Sequence, residues 1–180
     1  MKSILTALSA ALLLAACAAT PAGAPMFSQE GLPEAVKVPT GHRVALETVG
    51  VGEITYECRT KANAAGAFEW VFVGPKADLK GRGGNKLGTY FGPPATWAAN
   101  DGSAVTGTQV AVAPASAGNI PLQLVKANPA TGMGAMTGIA YIQRVATRGG
   151  VAPSAMCDGM GVGRKEVVTY QADYIFWKAA

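Results

Sequence analysis

Val167-Val168-Thr169-Tyr170-Gln171-Ala172-Asp173-Tyr174-Ile175-Phe176-Trp177, close to the C-terminus, decides the fold. Val168, Tyr170, Ala172, Tyr174 and Phe176 fall on one face, and Thr169, Gln171 and Asp173 on the other. A period of two is the signature of a strand with one buried face, and β-branched and aromatic residues suit a pleated surface. This strand is expected to close a sheet with its aromatics in the core. The same period runs outward through the chain. Ile54, Tyr56 and Cys58 alternate with Glu53, Thr55, Glu57 and Arg59. Phe68, Trp70 and Phe72 alternate with Glu69, Val71 and Val73, which reads as a strand covered on both faces. Residues 108–112, 120–125 and 138–146 read alike, with shorter candidates at 43–48, 87–91 and 96–99. Turn residues separate them: Gly50-Val51-Gly52, 81–85, Asp101-Gly102, 132–134 and Gly149-Gly150. Pro121 interrupts one candidate, so that strand lies at an edge or begins there.

No segment beyond the N-terminus carries a three-turn helical pattern, and no internal repeat is visible. The 23 glycines and 11 prolines fit a chain that turns often. The expected fold is all-β: one domain over 32–180, an antiparallel sandwich or barrel of about eight to eleven short strands with little helix.

The N-terminus carries an address. Lys2 is followed by an apolar run from Ile4 to Ala16, broken only by Thr6 and Ser9. That is a secretory signal, too short for the roughly 20 residues of a bilayer span. It ends in Leu14-Ala15-Ala16-Cys17, which resembles the lipobox of bacterial lipoprotein precursors. The resemblance implies a signal peptide over 1–16, acylation of Cys17, and through Ala18 an outer-membrane lipoprotein facing the periplasm. More than one acyl chain is needed for firm anchoring. Simple secretion after cleavage at Ala19 or Ala24 is the alternative. Residues 17–31, rich in Ala and Pro, read as a flexible tether.

Charge narrows the function classes. The chain has 15 basic and 11 acidic residues; without Lys2 the balance is 14 to 11, or +3. The basic residues are scattered, and Arg164-Lys165 is followed at once by Glu166, so nucleic acid is not an expected partner. With Cys17 assigned to lipid, Cys58 and Cys157 remain. An even count in an oxidising compartment reads as one disulfide, with a metal site or a reactive thiol as competing readings. Metal is disfavoured, because His42 is the only histidine and neither cysteine has a Cys-x-x-Cys neighbour.

Few motifs carry chemistry. Gly159-Met160-Gly161-Val162-Gly163 precedes a strand rather than a helix, and Gly81-Arg82-Gly83-Gly84 lacks the ending of a phosphate loop. Neither implies a nucleotide, and no cofactor is expected. Gln143 and Arg144 are neighbours in a strand and point to opposite faces. An inward arginine would need an acid, with Glu69, Asp101 and Asp173 available, or would offer an anion site. Asp101-Gly102-Ser103 is a turn whose side chains ordinarily bond their own backbone. With Tyr90 and Trp97 as apolar walls, Asp101, Ser103 and Arg144 form the candidate binding site. No catalytic residue is assigned: Ser103 would need a positioned base, and His42 is far off in sequence.

An ordered series of segments resembles the family called domain of unknown function 3455. It comprises Tyr56-Glu57-Cys58, Trp70-Val71-Phe72, Gly74 to Leu79, Gly92-Pro93, Thr96-Trp97 and Asp101-Gly102-Ser103. It continues through Ile120-Pro121, Tyr141 to Val145, Thr147, Gly149-Gly150, Cys157 and Tyr170 to Phe176. The resemblance implies one β-rich domain with Cys58 and Cys157 as a matched pair, and supplies no activity. Three features depart from the family pattern. Thr89 stands where a histidine precedes Tyr-x-Gly-Pro, Pro94-Ala95 separate Gly-Pro from Thr-Trp, and Leu122 replaces a tryptophan after Ile-Pro. The expectation is a non-catalytic binding or structural module of the cell envelope, its partners the membrane and either a small anionic ligand or an envelope protein. The alternatives are an envelope hydrolase using loop carboxylates and an envelope assembly factor.

Overall fold

A computed structural model describes residues 27–180. After a 3-10 turn at Glu34–Val36, eight strands follow: β1 His42–Thr60, β2 Phe68–Lys80, β3 Lys86–Phe91, β4 Thr96–Ala99, β5 Ala104–Ala113, β6 Leu122–Ala127, β7 Ile139–Gly149 and β8 Lys165–Ala179. Each pairs antiparallel with the next, and β8 returns to β1, so the sheet is a closed up-and-down barrel. Of the two architectures open to the sequence, the barrel forms. Closure gives the two longest strands, β1 and β8, partners on both sides, from His42 opposite Ala179 to Glu57 opposite Lys165.

The inward face of β8 is the one its alternation predicts. Tyr170, Ala172, Tyr174 and Phe176 are buried beside Ile54, Leu79, Val105, Val125 and Ile142. An eight-stranded barrel is just wide enough for side chains to fill. Its middle holds an aromatic layer: Tyr90 stacks on Trp97 at 4.7 Å, and Tyr174 lies 5.0 Å from Tyr90 and 6.0 Å from Trp97.

Two local expectations are corrected. Gly50-Val51-Gly52 is not a turn; β1 runs through it. A Cβ on Gly50 would sit 2.5 Å from the Tyr174 ring, and one on Gly52 2.2 Å from the Lys76 carbonyl oxygen. These glycines let neighbouring strands and an aromatic ring approach closely, a role that looks like a turn signal in sequence. Nor is β2 covered on both faces: Phe72 is 51% exposed.

A second, smaller core lies outside the barrel. Val36 and Val38 pack with Ala113, Leu124, Val145, Ile175 and Trp177, joined by Phe27 and Leu32. Residues 27–31, assigned to the tether by sequence, therefore strap onto the outer surface, while the signal, Cys17 and the rest of the tether lie outside the described residues. Gln143 holds the strap. Its amide nitrogen donates to the Val36 carbonyl (2.7 Å) and to Gln29 Oε1 (2.9 Å), and its oxygen accepts from Trp177 Nε1 (2.8 Å). Gln29 also pairs with both backbone groups of Val38.

Cys58 and Cys157 form a disulfide, with Cα atoms 5.5 Å apart. It pins the long β7–β8 connection to the far end of β1. The barrel has two distinct ends: one carries this connection and Pro121, the other the turn at Asp101 and the β6–β7 loop.

Candidate functional site

Arg144 is on the inner face of β7. Ile142, two residues before it, belongs to the barrel core, whereas Gln143 and Val145 face the outer strap. Its cross-strand neighbours are Gln123 on β6 and Tyr174 on β8. The half-buried guanidinium bends toward the disulfide end, where Nε (3.2 Å) and Nη2 (3.0 Å) both donate to the Pro121 carbonyl. Beside it, Gln123 Nε2 donates to Gln109 Oε1 at 2.6 Å.

Among the described residues no carboxylate comes within 4 Å of Arg144, and the ion pairs all join other side chains. The three acids considered from sequence lie elsewhere. Glu69 is exposed on β2. Asp173 stands opposite Val145 on the outer face, where burial raises its pKa and Arg82 partly offsets that. Asp101 is at the opposite end of the barrel.

Four phenols feel the Arg144 charge. Burial raises the pKa of Tyr56, Tyr90, Tyr170 and Tyr174 above the ordinary 10, and the nearby guanidinium pulls each back in part. Tyr56 donates to the Gly150 carbonyl (2.7 Å), and the Tyr170 and Tyr174 hydroxyls are 3.2 Å apart. Trp97 Nε1 and Thr147 Oγ1 are buried and have no hydrogen-bond partner. Thr147 follows Ala146, whose φ of 48° marks a bulge where β7 carries two residues against Ala172.

Tyr90 and Trp97 are therefore core residues and not the walls of an open site; Tyr174, which packs against both rings, stands opposite Arg144, and Asp101 and Ser103 belong to the turn at the other end. Asp101 Oδ1 accepts from the Ser103 amide (2.9 Å) and hydroxyl (2.6 Å), and Oδ2 accepts from the Ala135 amide (2.7 Å). Ser103 Oγ in turn accepts from the Met136 amide at 3.1 Å. These bonds, led by the Ser103 hydroxyl, lower the Asp101 pKa. The pair ties the β4–β5 turn to the β6–β7 loop. His42 does not serve Ser103: it lies against Tyr141, with Nδ1 on the Pro39 carbonyl, and the Ser103 hydroxyl is bonded to the Asp101 carboxylate instead.

Sequence reasoning missed Tyr56, Tyr170, Tyr174 and Gln123 as members of the Arg144 environment. One signal was available. Tyr170 and Tyr174 share an inward face, and a buried phenol needs a polar partner. Gln123 had none, because its place beside Arg144 is a matter of strand register.

No curated protein and no solved structure matches the chain. A family match covers residues 39–178, nearly the whole barrel, and on that match the chain belongs to the family described as protein of unknown function (DUF3455).

Proposed function

We propose that this is a lipid-anchored protein of the bacterial cell envelope, facing the periplasm from the outer membrane, whose barrel binds a small anionic ligand and does not catalyse a reaction. The address rests on the lipobox-like Leu14-Ala15-Ala16-Cys17. The binding role rests on one observation. Among the described residues Arg144 is a partly buried positive charge with no acid beside it, and only the Pro121 carbonyl takes its hydrogen bonds. A desolvated cation without a counter-charge is costly, and an incoming carboxylate or phosphate relieves that cost through charge-assisted bonds to the remaining N–H groups. Nothing favours the hydrolase alternative, since the oxygens of Asp101 are already taken up by Ser103 and Ala135. The assembly alternative has one supporting feature: exposed Met156, Met160 and Val162 on the disulfide-bonded connection.

Calorimetric titration with acetate, benzoate and inorganic phosphate tests the binding role. At least one should bind the native protein, and binding should fall at least tenfold in Arg144→Met while the fold persists. Equal binding by both proteins, or none by either, overturns it. Radiolabelled palmitate should enter the native chain in cells and not Cys17→Ser; label in both would refute the anchor.

A further inference from the structure

A concavity lies at the opposite end of the barrel from the Pro121–Arg144 contact, apart from the proposed anion site. It is a half-open hollow of about 240 Å³ where β2 and β4 end. Its walls are Leu46, Leu79, Leu87, Ala99, Ala135 and Met136. Leu79 and Met136 are fully buried and form the floor, while Ala135 is exposed at the rim.

From this site we infer a binding pocket for an uncharged, unbranched aliphatic molecule with one hydrogen-bonding head, of the medium-chain alcohol class. Size sets the chain. An apolar cavity of about 150 Å³ stays dry and takes benzene, so this one holds a chain of roughly eight to ten carbons on the same scale. The walls carry no aromatic ring, and the Met136 thioether adapts readily to a flexible chain.

The polar atoms set the head group. Thr48 is 3% exposed, lines the cavity, and makes only a long bond, 3.4 Å, to the Tyr174 carbonyl. Its hydroxyl is poorly satisfied for so buried a group. At the rim, the Asn100 amide nitrogen is tied to the Lys86 carbonyl (2.8 Å), and no donor among the described residues takes up its side-chain oxygen. Asp101 completes the rim with a carboxylate held ionised by Ser103 and Ala135. That negative charge, with no cation among the lining residues, disfavours a fatty-acid anion and leaves a neutral head.

The test is a titration of the full domain, carrying methyl-labelled methionine, with 1-octanol, 1-butanol and octanoate at neutral pH. The Met136 methyl resonance should shift saturably with 1-octanol, at least tenfold more weakly with 1-butanol, and more weakly with octanoate than with 1-octanol. Ala99→Phe and Leu87→Trp, which fill the cavity, should each weaken 1-octanol binding at least tenfold. No saturable shift, equal response to all three molecules, or full binding by a folded filled variant overturns the inference. If neither variant folds, the chain-length and head-group comparison in the native protein decides alone.

Discussion

The two ends of the barrel handle their polar groups in opposite ways. At one, Asp101 and Ser103 bond each other and two loop amides, so both Asp101 oxygens and the Ser103 hydroxyl have partners. At the other, Arg144 presents five N–H groups and spends two donors on one carbonyl, with no carboxylate near. Closed networks rigidify a fold, whereas an open one retains capacity for something outside the chain. The adjacent pair Gln143 and Arg144 repeats the contrast across the sheet. Gln143 is completely buried with three partners holding the strap, and Arg144 is half-buried and incompletely paired.

Breaking the disulfide should act most strongly, and on the Arg144 end. Cys58 and Cys157 are 99 residues apart, and cross-linking so long a loop stabilises by about 4.7 kcal/mol in the chain-entropy picture. Urea unfolding of Cys58→Ser/Cys157→Ser should lose roughly 2–5 kcal/mol, with amides of 150–164 exchanging first. A loss under about 1 kcal/mol would mean that barrel closure alone holds this end.

Ser103→Ala should cost less, about 1–3 kcal/mol, because it leaves the buried Met136 amide without its acceptor. Chemical denaturation would measure it, and a neutral result would remove the Asp101 end from the class of closed networks.

The same end should show in pH dependence. Hydrogen bonds from the Ser103 hydroxyl and the Ala135 and Ser103 amides hold the Asp101 pKa below its ordinary 3.8. A lowered folded-state pKa contributes stability above the unfolded value, and that stability is lost as pH falls through the folded one. The melting temperature should therefore drop on acidification below about pH 4, and Asp101→Asn should flatten part of that drop. Parallel curves for the two proteins would contradict the assignment.

Arg144→Met should change stability least, within about 1 kcal/mol, and in the stabilising direction, since it removes a partly buried cation that no acid compensates. A loss above about 2 kcal/mol would show that the guanidinium clamps Pro121 structurally, and would weaken the contrast between the ends.

Much of the fold was legible because strand alternation is local. The inward set Tyr170, Ala172, Tyr174 and Phe176 lies where the period of two puts it, and β4 has the limits its sequence suggested. Gly50 and Gly52 misled, because a glycine that admits Tyr174 and a glycine that makes a turn look identical in one chain. The candidate site was legible in part. Tyr90 and Trp97 stack in the core and reach the Arg144 row only through Tyr174, while Asp101 and Ser103, only a few residues from Trp97, belong to the other end. Beyond β4 the chain leaves the interior for a loop, and sequence proximity does not say toward which end.

The sequence by itself determined an all-β chain and the inward face of its last strand, since both follow from residue type and spacing. Only the tertiary structure decided between sandwich and barrel, placed residues 27–38 on the outer wall, and set Gln123, Arg144 and Tyr174 in one row. Those outcomes depend on strand register and closure, which arise from contacts between residues far apart in the chain.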